Sequence, residues 1–181
     1  MLILLLYGAA LRISEALSLT LADMDLPAGL LTIRESKFYK TRLVPMSPDL
    51  TSALGTYLAL RAKEHSTALD TALFLTRTST PVALNTAEYL FSRLRVRAGV
   101  LRHDGSRYQP RLHDLRHAAT VHRVVSWYRQ GADVQRLLPQ LATYLGHVNV
   151  AATQRYLTLT PELLQEASQR FEHYARGAQH E

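Results

Sequence analysis

The chain of 181 residues contains no cysteine. That absence removes disulfide scaffolds, thiolate nucleophiles, Cys-ligated zinc and iron–sulfur clusters. A nucleophile, if the chain carries one, is therefore Ser, Thr, Tyr, Lys, His or a carboxylate. Lysine is nearly missing too: of 21 basic residues 3 are Lys and 18 are Arg, against 15 acidic residues, for a net charge of +6. Arginine offers a planar, permanently charged fork that grips phosphate bidentately, whereas Lys is a hydrated point charge, so the skew points to a phosphate-bearing partner. A GC-rich coding sequence produces the same skew, and composition alone leaves both readings standing. The apolar opening MLILLLYGAALRISEALSL has no basic lead-in and is interrupted by Arg12 and Glu15, so it reads as a buried helix and neither a signal peptide nor a membrane span. No repeat, low-complexity tract or long linker is present, and 47% apolar residues suffice for one core. The expectation is one domain of a cytoplasmic protein with no membrane partner, and the mid-helix start suggests a chain cut from a longer one.

Periodicity predicts a mostly helical (α+β) domain with a small antiparallel β hairpin or sheet. Leu5, Ala9, Ile13, Ala16 and Leu17 share a helical face in the opening stretch, which LSLT closes. DLPAGLLTIRES and TRLVPMS alternate apolar and polar residues around a turn at Ser36 to Lys40, which predicts a hairpin with Leu31 and Ile33 on one face. Pro48 opens a helix to about Lys63, TALFLTRTSTPVALN gives a short strand and loop, and Asn85 caps a helix over Thr86 to Ala98. Gly99 to Pro110 is a loop leading into a helix from Leu112 to Gln130. Asp133 caps the next helix, to Tyr144, a short one covers Ala151 to Tyr156, and Pro161 starts an amphipathic helix to Tyr174.

Charge is uneven. Between Arg93 and Arg136 ten arginines face only Asp104, Asp114 and Asp133, which makes a basic band suited to a phosphate surface. Inside that band LHDLRHAATVH places His113 and Arg116 three apart on one side of a helix start, where backbone N–H groups also favour an anion. A metal reading would use His113 and His117, but no third ligand is spaced for it, so no metal and no cofactor is expected. YLGHVNVAATQRYLTLT puts His147 after a helix-breaking Gly146 and Tyr156 nine residues later. Arg12 and Glu15 form an i, i+3 pair, and Lys37 and Lys40 fall in the hairpin turn.

Taken together, ALRISEALSL, a hairpin Lys before RLVPM, HDLRH, and LGH followed by Tyr resemble the tyrosine recombinase or phage integrase family in order and spacing, from Leu4 to Thr158. The resemblance implies that Arg12 and Arg116 are the catalytic arginines and that Glu15 supports the first. It implies further that Lys37 is the hairpin lysine, His113 and His147 the two histidine positions, and Tyr156 the nucleophile. The implied activity is metal-independent cleavage and rejoining of double-stranded DNA through a 3′-phosphotyrosyl intermediate, with protomers assembling as a tetramer on DNA. Lys40, Arg93, Arg95, Arg97, Arg111 and Arg123 are the expected DNA contacts. Residues 1–160 correspond to the family's catalytic domain, and 161–181 to a C-terminal helix and tail exchanged between protomers. The family's N-terminal core-binding (SAM-like) domain is expected to be absent. Ala10 stands where the family often has Gly, a change expected only to tighten helix packing. Two rival readings are a non-catalytic DNA-binding remnant and a type IB topoisomerase-like relaxation enzyme.

Overall fold

A computed structural model describes residues 1–36 and 40–147; the hairpin tip with Lys37, and everything from 148 on, with Tyr156 and the expected helices at 151–156 and 161–174, lie outside the described residues. The chain divides into two compact units, Met1–Arg116 and His117–Glu181.

In the first unit the apolar opening is not one helix. It breaks into α1 (Leu2–Gly8) and α2 (Ile13–Leu17), separated at Ala9 to Arg12. The break is a backbone event at Ala10, whose φ of 49° lies in the left-handed region. An L-residue there pays about 1–2 kcal/mol that glycine does not. The expectation that Ala10 merely tightens helix packing is thus corrected, because position 10 is the bend itself. Ala10→Gly is expected to stabilise the protein by about 0.5–1 kcal/mol, the relieved strain outweighing the extra freedom of the unfolded chain. Equilibrium urea unfolding measures it, and a loss of stability there contradicts the strain argument.

After a single 3-10 turn at Leu21–Asp23, three antiparallel strands form a sheet in sequence order: β1 (Met24–Asp25), β2 (Leu30–Ser36) and β3 (Lys40–Pro45). The expected hairpin is therefore β2–β3 with one short strand added. Gly29 permits the β1–β2 turn through φ +64°. Leu31 pairs with Val44 across the hairpin, and both are buried, as is Ile33. The register slips between Ile33 and Ser36, so Ile33 faces Arg42 but Ser36 faces Lys40.

Helix α3 (Pro48–Arg61) starts as expected, with the Ser47 hydroxyl accepting from Leu50 N–H and Pro48 in the first turn. It ends on Arg61, whose buried guanidinium donates to the carbonyls of Ser66, Ala72 and Leu73. These bonds hold the irregular stretch from 62 to 74, and the isolated bridges Thr20–Ala72 and Leu75–Pro81 stand in place of the expected strand. Helix α4 (Leu84–Arg97) begins two residues sooner than expected: Ala83 is the N-cap and Asn85 lies inside the helix.

Helix α5 (Leu112–Arg129) follows the expected loop and continues into the second unit. There Asp133 caps α6 (Val134–Leu145) by accepting from Arg136 N–H, and Gly146 ends it with φ 65°. Val134, Leu138, Leu141 and Leu145 form its buried stripe. No helix among the described residues is long and apolar enough to cross a membrane.

Candidate functional site

A single carboxylate organises the polar centre of the first unit. Glu15 occupies the third position of α2, and its Oε2 accepts from the backbone N–H of Arg12, the helix N-cap, at 2.8 Å. A five-residue helix has little cooperativity of its own, so this cap does much to define it. Oε1 accepts from the Arg12 guanidinium at 2.6 Å, which fixes the arginine against its own helix start.

Two further guanidiniums reach the same carboxylate. Arg42 of β3 donates Nη1 to Oε1 and Nη2 to Oε2, each at 2.9 Å, in a fork-on-fork geometry. Arg116 of α5 brings Nη1 within 3.6 Å of Oε2 while the same nitrogen donates to the Ala10 carbonyl at 2.7 Å. Arg116 is 1% exposed, yet it is a permanent cation. The chain can bury it because the bend at Ala10 turns a main-chain carbonyl onto it, one of the few neutral acceptors able to satisfy a buried guanidinium.

Burial by itself would raise the Glu15 pKa, but hydrogen bonds from Arg42 and Arg12, and the Arg42 charge, outweigh it and hold the group near about 2, against 4.5 ordinarily. Since the folded pKa is the lower one, the stabilisation is complete above pH 4.5 and drains away as the pH falls toward 2. The difference corresponds to about 3 kcal/mol. Acid unfolding followed by tryptophan fluorescence should therefore show a flatter pH dependence in Glu15→Gln than in the parent protein; identical profiles would remove Glu15 as the origin.

Four side chains thus meet: Arg12, Arg42 and Arg116 around Glu15, three cations to one anion. Arg12 is partly open to solvent, with its side chain 24% exposed. A cluster of this kind is suited to receive an anion with more than one negative oxygen, and arginines do so with a geometry matched to phosphate. His113 lies in the first turn of α5, one turn before Arg116, and is exposed. The start of α5 is not simply open to an outside anion, as the sequence suggests, because the Asp114 carboxylate accepts from the Arg111 N–H at 2.9 Å. Among the described residues no three of His, Asp and Glu are grouped to hold a metal ion.

Of the sequence-derived residues, Arg12, Glu15 and Arg116 come together in the first unit, and His113 lies on the same helix as Arg116. His147 follows Gly146 in the second unit and is half-buried. Lys37 and Tyr156 lie outside the described residues, as do the surroundings of the Lys40 side chain. The residue that sequence reasoning missed is Arg42. It sits in the quoted RLVPM segment, but its partner is 27 positions away, and no local spacing advertises such a pair.

The basic band is less uniform than its composition implies. Arg116 is buried, so it is no part of a surface. Arg95 turns inward on the loop, donating to the Val100 carbonyl at 3.2 Å and the Gln109 side chain at 3.0 Å. Gln109 closes that loop by accepting from Arg102 N–H and donating to Arg102 O. Arg111 pairs loosely with Asp114 and lies over Tyr108, whose other neighbour is Arg107. Arg93 lies over Tyr89. Arg97 and Arg123 are exposed. The expected band is thus corrected for Arg95, Arg102, Arg111 and Arg116, whose guanidiniums engage side chains or carbonyls of the fold itself.

Residues 1–162 match the model of the phage integrase family. A protein of Sinorhizobium fredii named "Putative integrase/recombinase y4rB" is 43% identical over 93% of this chain and 54% of its own length. Tyrosine recombinase XerA of Thermococcus kodakarensis is 32% identical over 94% of the chain and 54% of its own. The chain thus spans about half the length of these relatives. A crystal structure of XerA recombinase superposes with a TM-score of 0.71 at 28% identity, covering 92% of this chain and 55% of that one.

Proposed function

This chain belongs to the phage integrase family, and on that premise we propose that it performs DNA strand cleavage and rejoining for a site-specific recombinase, with double-stranded DNA as substrate. The observation that carries the reading is the convergence of Arg12 and Arg116 on Glu15, two sequence-distant guanidiniums gathered at one carboxylate. Further support comes from the relatives named as recombinases.

In this reading Tyr156 Oη attacks the scissile phosphorus. A phosphotyrosyl bond to the 3′ side forms as the bond to the 5′ oxygen breaks. Negative charge builds on the non-bridging oxygens, where Arg12 and Arg116 stabilise it, with His147 as a further donor. Lys37 supplies a proton to the departing 5′ oxygen, and His113 takes the proton of the phenol. One phosphoester replaces another, so the energy of the bond is kept. A 5′ hydroxyl from a partner strand then reverses the step and joins new ends. Exchange between strands requires more than one active site, so the working form is an assembly of protomers on DNA, and the exposed Arg93, Arg97 and Arg123 are its backbone contacts. Lys40 joins them on the resemblance alone.

The test uses a pool of nicked duplexes in which cleavage releases a short fragment and traps the enzyme. A protein–DNA adduct that survives denaturing electrophoresis is expected. Duplex binding with no adduct would instead favour a binding module.

A further inference from the structure

Arg42 has no part in the reaction as set out above, yet it makes the most symmetrical contact in the cluster. A carboxylate has about four lone-pair directions, two per oxygen. Arg12 uses one on each oxygen of Glu15, through its guanidinium and its backbone N–H. Arg42 uses another on each, at 2.9 Å. Arg116 then stands at 3.6 Å, beyond hydrogen-bond distance, and is held by the Ala10 carbonyl. A carboxylate filled from two sides neither rotates nor draws Arg116 into a closed salt bridge.

Location strengthens the point. The α2 helix is too short to orient Glu15 unaided, whereas β3 is anchored in the sheet by its pairing with β2. Arg42 therefore ties the carboxylate to a paired strand of the sheet, the one that leaves the hairpin turn.

We propose that Arg42 is a positioning residue: by filling both oxygens of Glu15 from the sheet, it keeps Arg12 and Arg116 set to receive the scissile phosphate. The inference rests on the recombinase reading for the identity of that phosphate. Without Arg42, Glu15 becomes a competitor for Arg116, and binding of the transition state suffers more than binding of DNA.

Two readouts test it on the full chain. The first is the single-turnover rate of adduct formation at saturating nicked duplex, alongside the Kd for that duplex. Arg42→Gln is expected to slow the adduct step by about 10- to 100-fold with the Kd changed less than about threefold. Arg42→Lys should recover part of the rate, since one charged donor replaces the fork. If Arg42 acts through Glu15, Arg42→Gln combined with Glu15→Gln loses no more than the worse single change. Multiplying losses overturn the proposal, as does a Kd that weakens while the saturated rate holds, which marks a simple DNA contact. Arg42→Lys carries the same comparison should the Gln variant melt.

The second readout is thermal protection by orthovanadate, a phosphate mimic that needs no chemistry. Parent protein protected by vanadate, with protection weakened in Arg42→Gln, upholds the positioning role even if no adduct ever forms and the recombinase reading fails. An adduct at the parent rate in Arg42→Gln leaves that reading intact and removes Arg42. Neither adduct nor vanadate protection in the parent protein overturns both.

Discussion

Tyr156→Phe is expected to eliminate the covalent protein–DNA adduct entirely while leaving duplex affinity within about twofold. The substitution removes one oxygen and keeps the ring, so packing and phosphate contacts persist and only the attacking atom is lost. The chain has no cysteine thiolate to take over, and Ser and Thr oxygens are poorer leaving groups when the phosphoester bond is later reversed. A phenol near pKa 10 is mostly protonated at neutral pH, so the attack depends on an acceptor for its proton and on cationic neighbours that favour the phenolate. Arg12 and Arg116 are the proposed source of such charge for the phosphate itself. Electrophoresis under denaturing conditions, with labelled DNA, reads the result in one lane. An adduct that persists in Tyr156→Phe assigns the nucleophile elsewhere. Relaxation of a supercoiled plasmid without exchange of ends would move the activity toward the topoisomerase reading.

Arg116→Ala is the second large effect, and it is expected in two measurements together. Arg116 is fully buried and is satisfied in part by the Ala10 carbonyl. Its loss takes the donor from that buried carbonyl, which costs about 1–3 kcal/mol, and leaves a cavity in its place. Urea unfolding should register a large share of that amount. The adduct rate should fall by a factor of about 100 to 1,000, the usual effect of removing one preorganised donor from a developing oxyanion. Arg116→Lys separates the two effects. A lysine keeps the charge but cannot hold the Ala10 carbonyl and point at a phosphate with the same fork, so it should regain stability before it regains rate. Equal recovery of both would mean that Arg116 contributes only its charge.

Much of this architecture is legible residue by residue. Ser47 with Pro48, Asp133 and Gly146 each act where capping chemistry says they should, because those effects are settled within one turn of chain. Arg12 and Glu15 were legible as a pair for the same reason. The opening helix was misread because apolar periodicity runs on through Ala9 to Ile13, and nothing in Ala10 signals a left-handed torsion that Gly would have signalled. Asn85 was a reasonable cap, but the chain enters α4 two residues sooner. Arg42 was invisible because its partner lies across the sheet from it in sequence, and the band arginines were overcounted because Gln109, Tyr108 and backbone carbonyls leave no trace in a sum of charges.

The acceptor that holds Arg116 is a peptide oxygen, and this places part of the site beyond the reach of ordinary mutation. Every amino acid at position 10 brings the same carbonyl, so selection can alter that contact only through the torsion angles that aim it. Gly and Ala differ there in strain but not in the atom offered. The contact is therefore inherited as a shape: a change of letter at position 10 keeps it as long as the bend survives, and an insertion or deletion between Gly8 and Arg12 would erase it while leaving every side chain of the proposed site in the sequence.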